Sequence, residues 1–388
     1  MTAGKAIIIA ARRTAIGRIG GLHRARSLAD LAAPLINAVL ADARLDPADA
    51  GEVIIGNAAG GGGNPARLIA LAAGLPAAIP ALTIDRQCAS GLDAIIAAAR
   101  LIETGGAHAV IAGGAESPST APWRVEKPSN LHTGMPRFFH QAMFAPSGMD
   151  DPGMIEAAEN VAREYGIDRE RQDAWALQSH ERATKSQRAG VFAEEIAPLG
   201  SLQAESADEG PRPALSAKLL ARMPPLVPGG TVTAGNSCAI SDGAALAVVV
   251  SGDLHRRLGS PPGLLVAACA AAGVAPRILG TASIPALRKA CAAAGVEPAA
   301  LSAIELNEAF AAQVLATLDA LALPPSIVNP DGGALAFGHP YGASGAVLVT
   351  RLFSRLIRNH TISAQGPAAA MIAAAGGLGV ALILQPIR

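Results

Sequence analysis

Short, wholly apolar runs alternate with longer helical stretches at both ends of this 388-residue sequence, and that alternation leaves few folds open. Residues 6–10, 53–56 and 109–113 read as strands, and residues 27–41 and 91–103 as helices. Strands that are apolar on both faces need cover on both sides, which predicts an α/β architecture with helices flanking a sheet. The alternation returns late in the chain. A helix is expected at 285–294, a strand at 303–306, helices at 307–321 and 343–357, and closing strands at 370–374 and 379–384. One order used twice implies a duplicated topology with no visible sequence repeat.

Composition narrows the reading. Hydrophobic residues make up 51% of the chain and aromatics only 3%, so the core is built of small aliphatic side chains that let helices and sheets approach closely. At about 150 residues per domain, the length suits two or three domains. The 31 Lys and Arg balance the 31 Asp and Glu, which leaves no net field for nucleic acid or an acidic membrane. Residues 117–228 differ, being richer in charge than the rest and carrying most of the aromatics, including Trp123, Phe138, Phe139, Phe144, Tyr165, Trp175 and Phe192. They read as an insertion over the core with a long helix at 168–188 capped by Asp168, serving as a substrate groove or as a subunit contact. Residues 368–384 are uncharged but shorter than the ~20 a spanning helix needs, and glycines interrupt them. Two strands around a glycine turn fit better. Arg12 and Arg13 follow the first apolar run, the wrong order for a secretory signal, so a cytoplasmic location is expected. Cys88, Cys238, Cys269 and Cys291 show neither metal nor disulfide spacing.

Three residues at strand-to-helix junctions carry potential chemistry. Cys88, in Asp85-Arg86-Gln87-Cys88-Ala89-Ser90-Gly91, stands just ahead of an Ala-rich helix, whose positive end is expected to favour the thiolate and make it a nucleophile. A lone cysteine is otherwise an inert buried residue. His339, in Gly338-His339-Pro340-Tyr341-Gly342-Ala343-Ser344-Gly345, is placed to take the thiol proton; its plain alternative is to cap the turn. Asn307, in Asn307-Glu308-Ala309-Phe310, offers an amide for a water or an oxyanion, although Asn at such a place is a helix cap by default.

These blocks, together with Asn64-Pro65-Ala66-Arg67, Gly113-Gly114-Ala115-Glu116, Ala158-Glu159-Asn160, Thr233-Ala234-Gly235-Asn236 and Ser241-Asp242-Gly243-Ala244, occur in one order along nearly the whole chain. In this the sequence resembles the thiolases, the acetyl-CoA acetyltransferase family. The resemblance implies a five-layered α/β/α/β/α fold of two similar halves plus an inserted loop domain. The halves fall at 1–116 with 242–263 and at 264–388, and the loop domain at 117–241 binds coenzyme A and makes oligomer contacts. It implies a coenzyme A thioester as substrate with no bound cofactor or metal, and a homodimer or homotetramer. Cys88 is to be acylated, His339 to activate it, and Asn307 to help through a water. Met154, Arg222, Cys238 and Gly377 are the implied substrate contacts. Arg222, like Lys218 and Arg212, reads by default as a solvated basic residue.

One departure from the family matters chemically. The family's second cysteine, in a Cys-x-Gly-Gly-Gly-x-Gly block, removes the α-proton of the acetyl group, and here the stretch reads Ala373-Ala374-Ala375-Gly376-Gly377-Leu378-Gly379. A missing general base costs on the order of 10²- to 10⁴-fold, so ordinary Claisen chemistry is in question while acylation of Cys88 is not. Cys238 replaces the family's serine near the pantetheine arm, as a substitute base or, by preference, as a small near-isostere. The competing expectation is a non-catalytic acyl-CoA-binding or partner subunit.

Overall fold

A computed structural model describes residues 4–139, 142–200, 206–359 and 366–388; the start of the first expected half, residues 1–3, lies outside them. β1 (Ala6–Arg13) and the short β2 (Gly17–Arg18) lead into α1 (Leu28–Ala43). Ser27 and Asp30 cap α1 reciprocally, each side chain accepting from the other's backbone N–H. β3 (Glu52–Gly56), α2 (Pro65–Ala72), β4 (Ala81–Ile84), α3 (Ser90–Glu103) and β5 (Ala109–Glu116) follow. The chain then leaves the sheet for the hairpin β6 (Arg124–Glu126) and β7 (Arg137–Phe139), and for α4 (Met154–Glu164), α5 (Arg169–Arg188) and α6 (Ala217–Ala221). Asp168 caps α5 as expected, accepting from the Arg171 N–H. β8 (Ser241–Ser251) returns to the sheet and α7 (Gly252–Arg257) closes this half. The second half runs β9 (Gly263–Gly273), α8 (Ser283–Ala294), β10 (Ala303–Leu306), α9 (Ala311–Leu321), α10 (Ala334–Phe337), α11 (Tyr341–Phe353), β11 (Ala368–Ala374) and β12 (Leu378–Ile387).

The duplication is written in the pairing. β1 is antiparallel to β8, β8 antiparallel to β5, β5 parallel to β3 and β3 parallel to β4. In the same sequence of senses β9 pairs β12, β12 pairs β11, β11 pairs β10, and Ile304 of β10 bridges Val328. The halves meet where β1 lies antiparallel to β9 over two pairs, Ile7 with Leu265 and Ile8 with Leu264. α3 and α11 fill the space between the two halves of the sheet, packing with Ile8, Ala112 and Val249 on one side and Ala370, Ile372 and Leu382 on the other. α1 and α2 cover the outer face of the first half, and α8 and α9 that of the second. Helix, sheet, helix pair, sheet and helix are the five expected layers. Among the described residues no helix is long and apolar enough to cross a membrane.

Two expected helices have different bounds. The one read as 307–321 begins at Ala311, because the Asn307 N–H donates to Met371 O (3.1 Å) and continues the sheet ladder. The one read as 343–357 begins at Tyr341, and its end, Ser354–Arg358, winds as a wider π turn.

Candidate active site

The turns that open α3 and α11 meet at one place. After β4 the chain reverses through Gln87, whose φ of +51° is unusual for a residue with a side chain. The Asp85 carboxylate accepts from the Gln87 N–H (2.8 Å) and from its side-chain amide (3.0 Å). The Ser90 hydroxyl accepts from the Arg86 N–H (2.8 Å) and donates to Gln87 O (2.5 Å). This braced turn delivers Cys88 two residues ahead of α3. At the turn that opens α11, Gly338 has φ +104°, and a side chain there runs into Ser241. The next residue, His339, donates its N–H to Ala239 O (2.8 Å), its Nδ1 lies 2.6 Å from Ser344 Oγ, and its ring meets Tyr341 edge-on at 5.5 Å. The helices behind the junctions touch backbone to backbone: a Cβ on Gly91 would sit 2.5 Å from Gly342 O.

Cys88 and His339 open onto a single cavity of about 530 Å³, which Met154, Cys238, Phe310 and Ala373 also line. Three expected site residues lie elsewhere. Asn307 borders a smaller recess beside Ser344, with its Nδ2 buried and unpartnered among the described residues. Arg222 is the exposed residue that follows α6 and is not part of the cavity wall. Gly377 belongs to the β11–β12 turn, where φ +77° and an N–H from Val274 onto its carbonyl (2.8 Å) make its role conformational. The member of that segment reaching Cys88 is Ala375, whose N–H donates toward the sulfur. Arg212, read as solvated, does line the cavity, as do Arg18 and His180, which the sequence reading missed. No local signal marks these last two, since a β2 residue and an α5 residue converge only through tertiary packing.

Burial governs the electrostatics. It pushes the Cys88 thiol up to about 12, aided by the Glu116 carboxylate and opposed by the Ala375 N–H. The expected anionic thiol is therefore corrected: the start of α3 does not outweigh desolvation, and the resting residue is a neutral thiol. Burial lowers His339 to about 4, so the imidazole is neutral and able to accept a proton. Burial and the nearby Cys88 sulfur also raise Cys238 to about 12. Glu116 is raised to about 7 by burial, and it ties the layers together by accepting from Asn57 Nδ2 (2.7 Å) and from the N–H groups of Ala58 (2.9 Å) and Gly342 (3.0 Å). Among the described residues no His, Cys, Asp and Glu cluster could hold a metal ion.

Known proteins share this organisation over its whole length. Residues 6–253 match the family description "Thiolase, N-terminal domain" and residues 261–386 match "Thiolase, C-terminal domain". The chain belongs to the thiolase family. As a thiolase-family chain it is an acyltransferase. A Staphylococcus epidermidis protein with the provisional name acetyl-CoA C-acetyltransferase VraB is 42% identical over 382 residues, covering 98% of each chain. Its Staphylococcus haemolyticus namesake is 40% identical over 390 residues, 99% of each. The crystal structure of the Bacillus anthracis acetyl-CoA acetyltransferase superimposes with a TM-score of 0.90 at 33% identity, covering both chains completely. The thiolase-family likeness thus extends across both halves and the excursion between them.

Proposed function

We propose that this protein takes an acyl group from an acyl-CoA onto Cys88 and passes it to an acceptor. The observation that carries the reading is the cavity that Cys88 and His339 share, with the Ala375 N–H directed at the sulfur. His339, neutral at physiological pH, accepts the thiol proton at Nε2 as the sulfur attacks the thioester carbonyl. The carbonyl oxygen gains charge, backbone N–H groups near the sulfur stabilise it, and the thiolate of coenzyme A leaves with the proton from His339. Asn307, whose amide borders the recess beside Ser344 and not this cavity, supports His339 through a water held in that recess. Met154, Phe310 and Cys238 line the path of the pantetheine arm. The names of the relatives support acetyl-CoA as donor.

Ala373 shapes the second half of the reaction. It lines the cavity, where a methyl group removes no proton, and the Cys238 proton is held too tightly for a ready base. Acceptors that need no α-proton abstraction fit best: a carbanion formed by decarboxylation, or an oxygen, nitrogen or sulfur nucleophile. The exposed Trp123, Leu131, Met135 and Met143 on the excursion support a homodimer or homotetramer.

Intact-mass spectrometry after mixing with acetyl-CoA tests the proposal. An adduct of one acetyl group on Cys88, absent in Cys88→Ser, is expected without accumulation of acetoacetyl-CoA. No adduct with any acyl-CoA refutes it.

A further inference from the structure

Beside Ser344, the residue that His339 Nδ1 contacts, lies a recess of about 20 Å³, room for one water. Its wall includes Glu305, Asn307, Ser344 and Arg351, all buried. Three polar atoms on these residues find no partner among the described residues: Glu305 Oε1, Asn307 Nδ2 and Arg351 Nε. Orphaned buried groups are costly, and a donor, a donor and an acceptor around one water-sized space are what a water needs. Ser344 connects this recess to the reaction. For His339 Nε2 to accept a proton, Nδ1 must carry its hydrogen and donate it to Ser344 Oγ at 2.6 Å. The serine's own hydrogen is then directed onward.

We propose that Glu305 is a positioning residue for His339, acting through the Ser344 hydroxyl and a single water held in the recess by Glu305, Asn307 and Arg351. This inference rests on His339 being the base that activates Cys88. As the S–H bond of Cys88 breaks and an N–H bond forms at His339 Nε2, the imidazole becomes cationic. The chain from Nδ1–H to Ser344, to water, to the carboxylate places a negative charge where it stabilises that cation. No proton needs to cross the chain, and none is lost.

Glu305 is suited to such a part. Burial raises its carboxyl to about 7, against the opposing pull of Arg351 and Arg355 and with the help of Glu195 and Glu308; Arg182 on α5 faces it as well. Arg351 is already matched by Glu195 and by Asp331 (2.6 Å). The fold therefore does not need Glu305 as a counter-ion, and the neutral isostere is expected to fold.

The test compares single-turnover acetylation of Cys88 by acetyl-CoA across pH 6 to 9. In the wild type the rate rises through about pH 7 as Glu305 ionises. Glu305→Gln is expected to lose that rise and about tenfold in rate at pH 8, the worth of one pKa unit on the imidazolium, with the concentration dependence on acetyl-CoA unchanged. Glu305→Asp keeps the rise. Ser344→Ala reproduces the flat profile, and the double variant is no slower than the slower single one. A Glu305→Gln enzyme with the wild-type profile, or losses that multiply in the double variant, overturns the proposal. Should Glu305→Gln not fold, the Ser344→Ala profile decides alone. A wild type that never acetylates sinks the base assignment itself, and this inference with it.

Discussion

Ala373, where the resemblance places the family's second cysteine, is the residue on which the proposed second half of the reaction turns. It sits in β11 opposite Gly379 and faces the same cavity as Cys88 and His339, so a thiol introduced there lies within the reaction space. Ala373→Cys is therefore expected to raise acetoacetyl-CoA formation from acetyl-CoA by about 10²-fold or more, the lower range of a general base's worth. Product formation followed by absorbance reads the gain. An unchanged rate would mean that a proton acceptor at this position is not what limits the reaction. The thiol at Cys88 makes the complementary point, since burial around it outweighs the helix start that ordinarily lowers a cysteine's pKa.

At the scale of elements, α3 and α11 are the pair that matters. Each follows one of the candidate residues by two positions, and small residues at their contact let the two backbones nearly touch. A methyl group on Gly91 meets Gly342 O at 2.5 Å and Ala346 N at 3.2 Å, and neither backbone atom can swing aside. Gly91→Ala is expected to cost about 1–3 kcal/mol as the helices are pushed apart, measured by urea unfolding. Because Cys88 and His339 stand two residues ahead of those helices, acetyl loading should fall further than stability alone accounts for.

For the whole molecule, pH couples the site to the fold. Above the ordinary imidazole value of about 6.5, His339 is neutral both folded and unfolded. Below it the unfolded chain takes up a proton that the folded chain refuses until about pH 4, so the stability His339 contributes is present above 6.5 and is lost as pH falls. His339→Ala removes that loss. Its stability relative to the wild type is expected to improve by about 2 kcal/mol between pH 7 and pH 5, seen by thermal or urea melts at the two values. Glu116 and Glu305 act the opposite way, losing stability as pH rises toward 7, but they are common to both proteins and cancel in the comparison.

The layered α/β plan, the two halves, the cap at Asp168 and the candidates Cys88 and His339 were legible along the chain because each rests on local periodicity or on a short block of neighbours. Other features depend on residues far apart in order. Arg18 of β2 and His180 of α5 come to one cavity only through the tertiary fold. Arg13 is buried between Glu195 (2.8 Å) and Asp208 (2.6 Å) and fastens the excursion to the first strand, a contact no window of sequence contains. The protonation of Cys88 likewise follows from how many layers enclose it, since desolvation is a property of everything around a group and not of the helix it precedes.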